Sequence, residues 1–274
     1  MGTIEKEFTV KSKALMTGID SEARVCPSDE KGIRFHFASD NVEAVVENVV
    51  STEHCTVLGN GRIKIMLIEH FMAACAFSRI DAIDVYLSHF ELPILDGASK
   101  VWVQNFNNAG IINPDREVIS LKEPVYYLNG KTHLIVLPSD KLNFTYGVNY
   151  KHKDLKNRWY SLNQDNYEEI IEARTFGYLN ELEMLQKAGY GRGASLENTL
   201  GLKDDDTYTT ELKSEFEPVK HKMLDLIGDF YLAGCNVLNF NAEIIAKEAG
   251  HTVHVNTAKM LKEKLITQKT LQKA

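Results

Sequence analysis

Glu217-Pro218-Val219-Lys220-His221-Lys222-Met223-Leu224-Asp225-Leu226-Ile227-Gly228-Asp229 is the stretch on which the reading of this chain turns. Proline is tolerated in the first turn of a helix, where its missing N–H has no partner to lose. The apolar residues behind Pro218 recur at helical spacing, which predicts a helix over Val219 to Ala233. Residues at i, i+4 and i+8 share one face, so His221, Asp225 and Asp229 form a polar stripe, with Met223, Leu224, Ile227 and Phe230 on the other side. An imidazole and a carboxylate one turn apart can hold one metal ion. A solvated polar face with a chance histidine is the competing reading of the segment alone.

Working outward, this helix leads into a Val/Ile-rich segment, Val237 to Ala246, which reads as a strand. The same order occurs upstream. Ile63 to Phe77 has apolar residues at helical spacing around Glu69 and His70, and the strand-like Ile83 to Leu87 follows. Two helices, each with a histidine near its start and each followed by a strand, predict a duplicated α+β unit with sheets and helices in layers. The polar, proline-containing Asn113-Pro114-Asp115 is the best boundary, dividing an N-terminal domain 1–114 from a C-terminal domain 115–274. Short strands are expected before residue 60, at Ile33 to Phe37 for example, and again at Val125–Tyr127, His133–Leu137 and Leu142–Tyr150. Further helices are expected at Val101–Ala109, Tyr167–Ala173, Leu179–Ala188 and Val255–Leu265.

Composition narrows the function classes. With 274 residues, 44% hydrophobic and 25% charged, the chain can build a substantial core and does not resemble a disordered one. Its 31 basic and 38 acidic residues give a net charge of −7, and no dense basic run suggests nucleic acid as a partner. The Lys-rich stretch Lys259 to Lys273 reads first as a solvated helix face. Cys26, Cys55, Cys75 and Cys235 are scattered without C-x-x-C pairing, which fits a reducing compartment and excludes a cysteine zinc knuckle. The start, MGTIEKEFTV, has neither the basic beginning nor the apolar run of a signal peptide. The longest apolar stretch, Ile65 to Phe77, is too short to span a bilayer. A soluble, cytoplasmic protein is expected.

A hydrolytic zinc site keeps three protein ligands and an open position, so the stripe on the first helix needs one more. His70 is the best candidate. A Glu–His pair inside an apolar stretch is costly to bury unless it is paired or metal-bound, and Glu69 beside a ligand could act on water. His251, after a strand and a glycine, is open to reading as ligand, general acid or plain loop residue. His36, His89, His133, His152 and His254 have no comparable company and read as structural or surface residues. Arg174 reads as a surface or ion-pair residue rather than a phosphate ligand. Gly189, Gly191 and Gly193 do not open a helix after a strand, so a dinucleotide site is rejected.

Several segments in order carry a resemblance. They are Ile68-Glu69-His70, Glu91 to Gly97, Ala173-Arg174-Thr175-Phe176, Gly193 to Thr199, Glu217 to Asp229 and Gly250-His251. Together they resemble the signatures of the UDP-3-O-acyl-N-acetylglucosamine deacetylases, over nearly the whole chain. The resemblance implies a zinc-dependent deacetylase, an amide hydrolase acting on a linear C–N bond in the committed step of lipid A biosynthesis. It implies His70, His221 and Asp225 as zinc ligands, with Fe2+ or Co2+ also suited to the set. Glu69 would be the general base, His251 the general acid, and Asp229 the partner that orients and charges His251. Thr175 would donate to the oxyanion and Lys222 would bind substrate. It further implies two α+β domains with the active site in the cleft between them. An acyl-chain-binding insert would lie near 175–205, including Phe176, Tyr178, Leu179, Leu182, Leu185 and Leu196. The partner would be a UDP-linked acylated amino sugar, with no nucleic acid, a monomeric state and room for transient inner-membrane contact.

The resemblance breaks at Ser12 to Gly18, where Met16 takes the place of the family's histidine. That change permits one alternative, a zinc amidohydrolase of the same fold acting on another N-acyl substrate. A non-catalytic lipid- or nucleotide-binding relative is a second, against which the intact Glu69, His70, Thr175, His221, Asp225, Asp229 and His251 set speaks. Thr52 to Thr56 matches the family pattern only in part. An adventitious metal site at His54 is a further expectation of low weight.

Overall fold

The computed structural model describes residues 1–112, 118–162 and 167–273. Asn113, Pro114 and Asp115, where the domain boundary is expected, lie outside the described residues. The first part of the chain runs β1 (Thr3–Ile4), β2 (Phe8–Lys13), β3 (Asp20–Pro27), β4 (Gly32–Phe37), β5 (Asp40–Glu43), β6 (Val49–Ser51), β7 (Val57–Gly59), β8 (Lys64–Met66), α1 (Glu69–Ser78), β9 (Ala82–Leu87), α2 (Lys100–Ala109) and β10 (Ile111–Ile112). After residue 117 come β11 (Ile119–Ser120), β12 (Val125–Asn129), β13 (Thr132–Pro138), β14 (Asn143–Val148), β15 (Arg158–Leu162) and α3 (Glu168–Ile171). The chain continues through β16 (Thr175–Tyr178), α4 (Leu179–Lys187), β17 (Thr199–Leu202), α5 (Glu217–Tyr231), β18 (Phe240–Lys247) and α6 (His251–Lys273).

Alternation of buried and exposed residues makes the strands. In β18 the sequence FNAEIIAK buries every second residue, Phe240, Ala242, Ile244 and Ala246, as the two-residue period of a pleated strand requires. Of the two largest sheets, one has the order β2-β3-β9-β4-β5 and the other contains the path β12-β13-β18-β14-β15, with β11 also on β18. Their pairings match step by step. Hairpins β2–β3 and β12–β13 are antiparallel. The central strands β9 and β18 run antiparallel to β3 and β13 and parallel to β4 and β14. The hairpins β4–β5 and β14–β15 close the far edges.

The helices preceding the two central strands meet at the middle of the molecule. All of α1 except Phe77 and all of α5 except Lys222 are buried. A helix that is apolar on most sides belongs between other layers. Phe71 of α1 packs its ring 5.5 Å from Phe35 on β4 and 4.9 Å from Trp102 on α2. Gly228 lets α5 press onto α1, since a Cβ there would lie 2.0 Å from the carbonyl oxygen of Glu69. That approach brings the first turn of α1 beside the polar stripe of α5.

Two expected elements are cut differently. Ile63 to Phe77 is not one helix: Lys64–Met66 is a strand, and the helix begins at Glu69. The run is short and apolar, and Leu67 adopts a left-handed φ of 63°, which breaks it. Val237 to Asn239 is a 3-10 turn capped by the Asn236 side chain, and the strand begins at Phe240. β15 and the parallel pair β16–β17 are additional to the expected elements.

Candidate active site

Each candidate residue sits at an element's end or on a buried stripe. Glu69 and His70 open α1, and the Ser99 hydroxyl donates to the His70 carbonyl at 2.7 Å. Thr175 opens β16, its amide donating to the Gly97 carbonyl at 2.8 Å. Arg174 beside it forms a buried two-pronged ion pair with Glu217, at 2.8 and 3.1 Å, tying this strand to the start of α5. His251 is the first residue of α6 rather than a loop residue. Glu69, His70, Thr175, His221, Lys222, Asp225 and His251 line one cleft of about 300 Å³, together with Leu15, Phe176 and Tyr178. A larger groove of about 680 Å³ lies between residues 121–126 and α6, and neither His–Asp cluster lines it.

The atoms of His70, His221 and Asp225 that could bind a cation all lie within 4.8 Å of one another. Asp225 Oδ1 is 3.4 Å from His221 Nε2 and 3.6 Å from His70 Nε2. It is buried and accepts no hydrogen bond. Its sister Oδ2 takes the Lys222 ammonium at 2.6 Å. His221 Nδ1–H donates to the Ala173 carbonyl at 2.9 Å, which leaves a bare lone pair on Nε2, as a ligand histidine requires. Burial pushes the His221 imidazole down to about 4 against the pull of Asp225, so it is neutral at physiological pH. Burial raises the Asp225 carboxyl, but Lys222, His221 and His251 outweigh it and hold it well below the carboxylate range. A buried anion with an unpaired oxygen and two imidazole nitrogens beside it fits a divalent cation.

Glu69 stands beside this set. Its Oε2 accepts the Thr56 amide at 3.1 Å, and its Oε1 is 3.8 Å from His251 Nε2. Burial raises its carboxyl above the ordinary value, with His251 and His70 opposing. His251 Nδ1 meets Asp229 Oδ2 at 2.8 Å. Burial alone would lower the His251 imidazole; the Asp229 and Asp225 carboxylates reverse this and raise it to about 9. The cleft therefore has a carboxyl biased toward accepting a proton facing an imidazole biased toward holding one, the pairing that acid–base chemistry needs.

Sequence reasoning missed two participants. Thr56 donates its hydroxyl to Asp229 Oδ1 at 2.5 Å and its amide to Glu69, joining the Asp229–His251 pair to Glu69. Nothing in its local sequence signals this. His254 is fully buried, with Nδ1 2.9 Å from Asp229 Oδ2, so it belongs beside the site. Its spacing from His251, one turn along α6, was the available signal. Met16 is buried, its amide donating to Glu91 at 2.6 Å. His54 lines the cleft but belongs to neither His–Asp cluster among the described residues. In the insert, α4 buries no side chain, and Leu196 is 61% exposed rather than part of a core.

The family model described as UDP-3-O-acyl N-acetylglycosamine deacetylase matches residues 1–263. A UDP-3-O-acyl-N-acetylglucosamine deacetylase of Chlamydia pneumoniae is 33% identical, covering 96% of this chain and 97% of its own. The protein of that name from Leptospira biflexa is 31% identical, over 94% of this chain and 88% of its own. That from Trichormus variabilis is 30% identical, over 94% and 97%.

Proposed function

Because the chain belongs to the UDP-3-O-acyl N-acetylglycosamine deacetylase family, and so is a deacetylase of UDP-3-O-acyl-N-acetylglucosamine in lipid A biosynthesis, we propose that His70, His221 and Asp225 hold its catalytic metal and that Glu69 and His251 move the protons. The unpaired Asp225 Oδ1, buried between two imidazole nitrogens, is the observation that carries this reading. Zinc suits the ligand set best, and Fe2+ or Co2+ also fits it. When bound, such a cation acidifies water and polarises the amide carbonyl.

The chain's own residues supply the rest. Glu69 takes a proton from the attacking water, favoured by a carboxyl raised above its ordinary value. His251 delivers a proton to the leaving amine, and Asp229 keeps it charged until then. Thr175, on the cleft wall, donates to the developing oxyanion, and Lys222 turns its charge toward substrate while pairing with Asp225. The acyl chain runs along the insert near 175–205, whose Phe176 and Tyr178 line the cleft. The identical pairing of the two sheets supports a repeated unit, with domains 1–114 and 115–274. Among the described residues no helix is long and apolar enough to cross a membrane. The reading places it as a cytoplasmic monomer with transient inner-membrane contact.

The test is deacetylation of UDP-3-O-acyl-N-acetylglucosamine by the purified protein, with metal analysis of the same sample. Turnover near one bound zinc per chain, with both lost in His221→Ala, is the expected outcome. Turnover that survives complete removal of metal would sink the ligand assignment.

A further inference from the structure

Behind His251, buried side chains form a hydrogen-bond chain that needs one proton more than its members ordinarily carry. The Tyr146 hydroxyl donates to the Ala249 carbonyl at 2.7 Å and lies 3.0 Å from His254 Nε2. His254 Nδ1 is 2.9 Å from Asp229 Oδ2, the same oxygen that faces His251 Nδ1. A hydroxyl has one proton to give. With that proton on Ala249, the Tyr146–His254 contact is a hydrogen bond only if His254 Nε2–H donates. The contact at Nδ1 then requires a second proton, on Nδ1 or on Asp229, because an imidazole lone pair and a carboxylate oxygen repel at that distance. Tyr146 is 1% exposed and both Asp229 and His254 are 0% exposed, so bulk water does not supply the missing partner.

We propose that Asp229 and His254 share one proton beyond those of a carboxylate and a neutral imidazole, and that His254 is thereby a positioning residue for His251. Burial draws the His254 imidazole below its ordinary value, while the hydrogen bond and charge of Asp229 oppose this. The consequence for catalysis rests on His251 being the acid. An acid ends its step neutral, and a lone buried carboxylate left behind it would resist that step. The shared proton offsets part of the Asp229 charge, leaving the rest to raise His251. It also pins Oδ2 between the two histidines, with Tyr146 and Ala249 anchoring the far end.

The test is histidine 15N NMR of the metal-loaded protein, with kinetics of three variants. His254 Nε2 should carry a proton, and Tyr146→Phe should remove it by removing the acceptor. A bare Nε2 in the unsubstituted protein overturns the proposal without bearing on the role of His251. His254→Leu should lower kcat by about tenfold or more with KM and bound metal retained. His254→Asn, whose amide can donate to Asp229, should recover part of the loss. Equal rates in the Leu and Asn variants, or an unimpaired Leu variant, overturn the positioning role. Full activity in His251→Ala would instead remove the acid itself while leaving the NMR signature in place, so the two failures are told apart.

Discussion

Two clusters of two histidines and one aspartate lie side by side in this fold, and they have opposite characters. In His70, His221 and Asp225 the imidazole nitrogens stop 3.6 and 3.4 Å from a carboxylate oxygen that accepts no hydrogen bond. In Asp229, His251 and His254 the same residue types close to 2.8 and 2.9 Å, and the second carboxylate oxygen takes the Thr56 hydroxyl. Both aspartates are on α5, one turn apart. What differs is what else each carboxylate touches. Asp229 has both oxygens engaged in hydrogen bonds, as suits the proposed role of holding and charging an acid. Asp225 spends one oxygen on Lys222 and leaves the other bare, so it has a lone pair for a cation. On the proposed reading, ligand type alone does not select the metal centre; the leftover acceptor does.

The comparison can be broken most directly at the first cluster. His221→Ala should abolish stoichiometric metal and cut kcat/KM by about three orders of magnitude, roughly 4 kcal/mol of transition-state stabilisation, whereas changes at His254 should leave metal content intact. Metal analysis of both variants decides whether the clusters are distinct. Glu69→Ala separates metal from proton transfer: it should retain the ion and lose about 10²-fold in kcat. An unchanged rate would take Glu69 out of the reaction.

Gly228→Ala tests the helix contact that brings the clusters together. Its Cβ would meet the Glu69 carbonyl at 2.0 Å. Although alanine is the better helix former, overpacking should destabilise by about 2 kcal/mol and lower Tm by about 5 °C. A stabilised variant would show that the helices can part freely. The smallest effect is on pH dependence. The rate should rise as Glu69, whose carboxyl lies above its ordinary value, loses its proton, and fall as His251 loses its own, near 9. Asp229→Asn removes the leading charge that raises His251, so the alkaline limb should move to lower pH. An unmoved limb would take the second cluster out of proton control.

What could be read from the sequence follows from where the information lies. His221, Asp225 and Asp229 are legible because one helix carries them at four-residue spacing, and Glu69–His70 because adjacency inside an apolar run is conspicuous. The sheets are legible where burial alternates, as in β18. Thr56 is invisible because its two bonds reach residues 13 and 173 positions away. His254 was passed over because its partners, Tyr146 and Asp229, come from other elements. The helix start at Glu69 was blurred because a short apolar run does not distinguish strand from helix until a left-handed Leu67 interrupts it.

The position of the central strands has a consequence for how the molecule comes into being. In each sheet the middle strand is the last of its path in sequence, β9 between β3 and β4, and β18 between β13 and β14. Until that strand arrives, each sheet is a pair of separate hairpins with bare inner edges. A chain emerging from its N-terminus can seal the first sheet once residue 87 is free, but the second stays open until residue 247. Through that interval the exposed edges invite pairing with other chains, and the growing polypeptide is at its most prone to aggregation. His251 follows the sealing strand by four residues, so the last backbone gap closes almost as that imidazole reaches the cleft.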